Sequence, residues 1–220
     1  MTYYSEIFDK LHREQESVHL SASLLAFLKT ELTPYITNRD IILENVLEIG
    51  CGTQSLFEVW PINNKHIKKI AIDCASVAIK KAKTLLPYSE VSYRVADITD
   101  PDLLVIPNGL LSELVPQDLI LDGHAIHFIK DAEHRKIALK NIYHLLKKDG
   151  LFVAESTIRT NSFQTSDYFH LPYAHELEDE LLRAGFELKI FIVKPGLHLD
   201  SFERGVVERF EVVTFIAHKK

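Results

Sequence analysis

The chain predicts an α/β fold, a doubly wound, mostly parallel sheet of about seven strands with an N-terminal helical extension. Three observations predict it. Short β-branched runs recur between longer amphipathic stretches, as in a parallel sheet covered by helices on both faces. Glycines interrupt the end of the first run. The last two β-rich runs have no helix between them, so they must pair antiparallel, because a parallel crossover would need one.

Residues 5–35 repeat apolar side chains at helical spacing, with Ile7, Phe8 and Leu11, then Leu20, Leu24, Leu25, Phe27, Leu28 and Leu32. They read as two helices, with stripes such as Leu24, Phe27 and Leu28 expected in the core. Pro34 is expected to end the second, since a proline disfavours helical geometry in the residue before it. The strands are expected at 45–49, 69–73, 91–97, 118–122 and 151–155, with helices at 75–86 and 132–147. A weaker helix or loop is expected over 108–117. Asp149-Gly150 supplies the turn after the 132–147 helix, with Lys147 and Lys148 favouring its negative end. A polar, ring-rich stretch from 156 to 173 precedes a helix over 175–184, capped at Gly185. The strands 186–193 and 206–217 then close the sheet, the last inserted beside the fifth. The whole, 1–220, reads as one domain, with 1–40 a helical cap and 41–220 the α/β core.

With 25 Lys and Arg against 31 Asp and Glu, the net charge is −6. The chain as a whole therefore lacks the positive field that gives nucleic-acid binders their sequence-independent affinity. No segment reaches the roughly 18 apolar residues of a membrane span, and the first ten residues hold no apolar signal core. A cytoplasmic location is the expectation, with neither nucleic acid nor membrane as a partner. Cys51 and Cys74 are too few for a disulfide framework or a four-ligand zinc site and read as reduced thiols.

The chemistry concentrates where strands end. Gly50 and Gly52 sit at a strand-to-helix turn, where missing side chains let the backbone approach a ligand and the next helix offers free N–H groups. Glu48, just before them, would repel a pyrophosphate and suits a ligand carrying positive charge. Asp73 ends the second strand about 20 residues on, placed to accept from ribose hydroxyls. Asp97 follows the third strand and could accept from an exocyclic adenine amine. Open α/β sheets bind ligands at this carboxyl edge.

Glu48-Ile-Gly-Cys-Gly52, Asp73, Ala96-Asp97, Asp118-Leu-Ile-Leu-Asp122 and Leu145-Leu-Lys-Lys-Asp-Gly150-Leu-Phe-Val resemble, in order and spacing, the successive motifs of class I S-adenosylmethionine-dependent methyltransferases. The resemblance spans about 43–155 and implies a Rossmann-like sheet with its last strand antiparallel. It also implies S-adenosylmethionine as cofactor and a small-molecule acceptor methylated on oxygen or nitrogen. By the same resemblance, Gly50 and Gly52 would approach the methionine part, with Glu48 near its ammonium and Cys51 in the loop. Asp73 would bind the ribose, Cys74 would lie beside the adenine, and Asp97 with Ile98 would contact it. Asp122 would complete the cofactor edge. Gln54 stands where many members have a third glycine.

Beyond the fourth strand, Asp122-Gly-His124-Ala-Ile-His127 reaches the edge where an acceptor would sit. His124 is the candidate base or positioner, with His127, Tyr168 and His170 behind it; imidazole titrates in the range suited to proton removal. Asp122, His124 and His127 lack a further ligand, so no metal is expected. N-terminal helices and insertions after the fifth strand commonly cover the active site in this family. Residues 5–35 and 159–173 are therefore expected to form a movable cover. A nicotinamide-dependent oxidoreductase is the alternative, opposed by Ser55 at the third glycine of G-x-G-x-x-G and by Glu48. A non-catalytic cofactor-binding protein is the other. The chain lacks both the Asn/Asp-Pro-Pro-Tyr motif and the Pro-Cys nucleophile of base methylation.

Overall fold

The computed structural model describes residues 3–14, 21–62, 66–103, 116–123, 125–159, 171–195, 199–200, 207–208 and 211–220. Five strands run parallel: β1 (Asn45–Ile49), β2 (Lys68–Asp73), β3 (Val91–Val95), β4 (Gln117–Gly123) and β5 (Leu146–Ile158). The first glycine turn leaves β1 at the centre. The sheet order is β3-β2-β1-β4-β5-β9-β6, with β9 (Glu211–Lys219) antiparallel between β5 and β6 (Phe186–Pro195). The short strands β7 (Leu199–Asp200) and β8 (Val207–Glu208) pair separately.

Both faces of the sheet are buried, as the unbroken apolar runs require. Leu47, Ile49, Ile70, Ile72, Ile120 and Phe152 point to one side, where α5 (Ala132–Leu145) and α6 (Ala174–Arg183) cover them. Val46, Ala71, Leu119, Leu121, Leu151 and Val153 point to the other. There they meet α4 (Ser76–Leu85) and a rod built from α2 (Ala22–Phe27), a π-helical turn (Leu28–Leu32) and α3 (Thr33–Thr37). Among the described residues, no helix is long and apolar enough to cross a membrane.

Four expectations need correction. Pro34 does not end the second helix: the rod continues to Thr37. The π turn widens the backbone just ahead of the proline, with the Thr33 hydroxyl donating to the Leu28 carbonyl (2.8 Å), and so accommodates a residue without an N–H. The glycine turn after β1 leads into a single 3₁₀ turn, Leu56–Glu58, and no α-helix, with Pro61 close behind. Asp149 (φ +65) and Gly150 form a kink inside β5, because Leu146 already pairs with Gln117.

The fourth correction concerns α1 (Tyr3–Glu14). Its apolar residues Ile7 and Leu11 are 44% and 39% exposed, while Tyr4, Ser5, Asp9 and His12 are buried. The helix turns a mixed face inward, with Tyr4 in the core and Phe8 against it beside the polar Ser5, Asp9 and His12. The stretch 108–117 lies outside the described residues except at its last positions.

Candidate active site

Parallel pairing brings the acids together. Ile49 is opposite both Ile72 and Asp122, so Glu48, Asp73 and Asp122 end three adjacent strands at one edge. All three are at least 93% buried. Each carboxylate is held by local donors. Ser55 Oγ and the Leu56 amide (2.8 Å) donate to Glu48 Oε2. The amides of Gly52 and Ala75, both 2.8 Å away, donate to the two Asp73 oxygens. Those of Ala125 (2.5 Å) and Ile126 (3.1 Å) donate to Asp122, whose oxygens thereby fix the turn after β4.

The glycine loop is shaped by backbone no other residue adopts readily, with Gly50 at φ +64 and Gly52 at φ +57. A Cβ on Gly50 would lie 2.5 Å from Ala125 Cβ. The loop after β1 is thus pressed against the turn after β4.

Burial pushes Glu48 up to about 8; Ser55 and Leu56 oppose the shift, and the Asp122 and Asp73 charges add to it. An adjacent cation would relieve that carboxyl. Burial also raises Asp73, against the two amides and His12. It raises Cys51 and Cys74, so both thiols stay protonated and unreactive near neutrality.

Several amides that a phosphate could use at this turn are already engaged. Ser55 N donates to Tyr93 Oη (3.0 Å), Leu56 N to Glu48, and Phe57 N to Ser55 Oγ (3.1 Å). With no α-helix behind the loop, the usual pyrophosphate cradle is missing.

Asp97 accepts from the Thr99 amide (2.9 Å) and hydroxyl (2.7 Å), which curls the loop after β3. The buried Asn141 of α5 donates to the Ile98 carbonyl (2.8 Å) and anchors that loop. Of the acceptor-side candidates, His127 is 5% exposed, its ring 4.3 Å from that of Phe128. His124, Tyr168 and His170 lie outside the described residues.

The N-terminal segment expected to cover the strand ends lies beside them, although the residues that dock it were not singled out in the sequence. Helix α1 bridges the cleft. On one side, Asp9 accepts from the Val77 amide (2.8 Å) and Ser76 Oγ, and Lys81 Nζ donates to the His12 carbonyl. On the other, the Asp131 amide donates to Tyr4 Oη (3.3 Å) and Phe8 meets Phe128 edge-on at 5.5 Å. At the end of β5, the buried Glu155 accepts from Ser21 (2.6 Å) and Ser23 (2.7 Å), where the α2 rod begins. The base of the 159–173 segment is closed by the Arg159 amide donating to the Pro172 carbonyl (2.9 Å) and by the Arg159 guanidinium over the Tyr173 ring.

A mixed sheet with this strand order and an acid-lined glycine turn at the carboxyl edge of its parallel strands defines a Rossmann-like α/β protein. Comparison with known proteins narrows this. A family model described as a methyltransferase domain matches residues 47–152. Nodulation protein S from Azorhizobium caulinodans is 28% identical over 111 residues, 50% of this chain and 48% of that protein, so the match spans about half its length. The N-methyltransferase NodS from Bradyrhizobium japonicum, solved with S-adenosyl-L-homocysteine, superposes with a TM-score of 0.65 at 17% identity, covering 98% of both chains. An S-adenosylmethionine-dependent methyltransferase from Clostridium acetobutylicum gives 0.61 at 15% identity, covering 98% of this chain and 97% of that one. Residues 47–152 thus carry the sequence pattern of a methyltransferase domain, on the fold of S-adenosylmethionine-dependent methyltransferases.

Proposed function

We propose that the protein transfers a methyl group from S-adenosylmethionine to a nitrogen or oxygen of a small-molecule acceptor. The observation that carries this is the convergence of Glu48, Asp73 and Asp122 at one strand edge beside a glycine loop, several of whose amides are already engaged. That edge favours a cationic nucleoside over a dinucleotide. The nodulation relatives include an N-methyltransferase, which supports nitrogen as the accepting atom.

The cofactor supplies an activated methyl on a sulfonium, whose positive charge makes it a ready leaving group. In this reading Asp73 holds the ribose, Glu48 faces the methionine ammonium, and the loop after β3, with Asp97 and Ile98, borders the adenine. Gly50, Cys51 and Gly52 form the floor, with Cys74 beside the adenine. The acceptor enters beyond β4, where His124 takes its proton or orients it, with His127, Tyr168 and His170 as further candidates. Alignment alone can contribute about 7–11 kcal/mol, whereas a general base adds about 10²–10⁴-fold, so pocket shape should outweigh any one side chain.

Calorimetric titration tests the reading. S-adenosylhomocysteine should bind and nicotinamide dinucleotides should not; the reverse would overturn it in favour of an oxidoreductase. Asp73→Ala should weaken S-adenosylhomocysteine by about 1.5–3 kcal/mol, the worth of hydrogen bonds to a charged group. An unchanged affinity would remove Asp73 from the ribose site.

The bridging position of α1 predicts a second result. Cofactor should slow amide exchange across Tyr3–Glu14 relative to the free protein. Equal exchange in both states would mean that α1 is a fixed wall and not a cover.

A further inference from the structure

The inward face of helix α1 carries the buried polar residues Ser5, Asp9 and His12 beside Tyr4 and Phe8, and among them His12 stands out. It is 5% exposed, and its Nδ1 has no hydrogen-bond partner among the described residues. A buried ring nitrogen left unpaired costs free energy, so it is a feature that needs an explanation. The helix is pinned around it. Asp9, one turn earlier, accepts from Ser76 and Val77, the start of the helix that follows Asp73, and the His12 carbonyl accepts from Lys81. Asp9 bonds Ser76 and Val77, three and four residues past Asp73, so this face of α1 is turned toward the end of β2.

We propose that His12 is a cofactor-binding residue that α1 delivers to a ribose hydroxyl of S-adenosylmethionine, beside Asp73. This rests on the methyltransferase reading above. The groups facing the ring are Asp73, Asp9 and Lys81; burial outweighs the two carboxylates and holds the imidazole below its ordinary value. A neutral imidazole has one donor and one acceptor nitrogen, and a hydroxyl can pair with either. Asp73 would take one ribose hydroxyl with the lone pairs that Gly52 and Ala75 leave free, and His12 would take the other. Cofactor binding and the docking of α1 then become one event, because the helix carries part of the ribose site.

The test measures binding of S-adenosylhomocysteine and of its 2′-deoxy and 3′-deoxy analogues to the full chain, with His12→Ala and His12→Asn. His12→Ala should weaken S-adenosylhomocysteine by about 2- to 12-fold, the span of one net hydrogen bond. The preference of the wild type for the ribose form over one deoxy analogue should fall by the same factor. His12→Asn, which keeps a donor and an acceptor on a shorter side chain, should retain part of that preference, and it carries the test if the alanine variant does not fold. Equal losses toward all three ligands would make His12 a structural residue and overturn the proposal, as would wild-type affinities in both variants. If the wild type bound no S-adenosylhomocysteine at all, the methyltransferase reading would fall, and this inference with it.

Discussion

Between about pH 5 and pH 8 the free protein should lose about 3–4 kcal/mol of stability through Glu48 alone. In the fold its carboxyl is pushed up to about 8 by burial, from an ordinary value of 4.5. The native state therefore holds this proton over a range in which the unfolded chain releases it. The associated stability is fully present below the unfolded value and is lost as pH rises through the folded one. Urea unfolding of the wild type and of Glu48→Gln at a series of pH values checks it. The variant keeps an acceptor for Ser55 and Leu56 but cannot ionise, so the difference between the two proteins should slope by about 1.4 kcal/mol per pH unit in that window. Parallel profiles would show that Glu48 ionises normally in the fold. With S-adenosylhomocysteine bound, the slope should flatten, because an ammonium beside Glu48 stabilises its ionised form.

Gly50→Ala should destabilise the protein by about 3 kcal/mol, combining the strain of a left-handed alanine with overpacking. For a chain of this size that corresponds to a fall of about 6–12 °C in Tm. The two causes are separable. The added Cβ would lie 2.5 Å from Ala125 Cβ, while the φ of +64 remains strained whatever the space around it. Gly50→Ala combined with Ala125→Gly should recover the steric share and leave the conformational one. A single variant melting with the wild type would mean that the loop after β1 can move away from the turn after β4 at little cost.

Much of this site is legible in the sequence, for a physical reason. Strands buried on both faces must be continuous apolar runs, so an acid such as Asp73 or Asp122 closing a run marks both where the strand ends and the edge it reaches. What resisted reading were places where a local rule met a stronger tertiary one. Pro34 is a reliable helix breaker only when the backbone ahead of it is regular, and the π turn removes that condition. The glycine turn implies a following helix, yet the Glu48 carboxylate engages the Leu56 amide and Pro61 stands soon after. Ile7 and Leu11 form a legitimate apolar stripe, but α1 docks through Tyr4 and Phe8 on the core and through Asp9 on the start of α4, which leaves Ile7 and Leu11 outside. Nothing in the spacing of Asp9 and His12 separates them from an ordinary solvated helix face.

The π turn at Leu28–Leu32 also acts as a rotational adjuster. Relative to a regular helix it holds one extra residue, and each residue advances a helix by about 100°. Everything on its N-terminal side is therefore set at a different azimuth from the one a straight rod would give. That azimuth aims Ser21 and Ser23 at Glu155 while Leu24, Phe27, Leu28 and Leu32 still face the sheet. Deleting one residue within the turn would restore a regular helix but swing the two serines about a quarter-turn off the carboxylate. The end of β5 would then lose its tether to the N-terminal segment, even though every residue forming that contact remained in the chain.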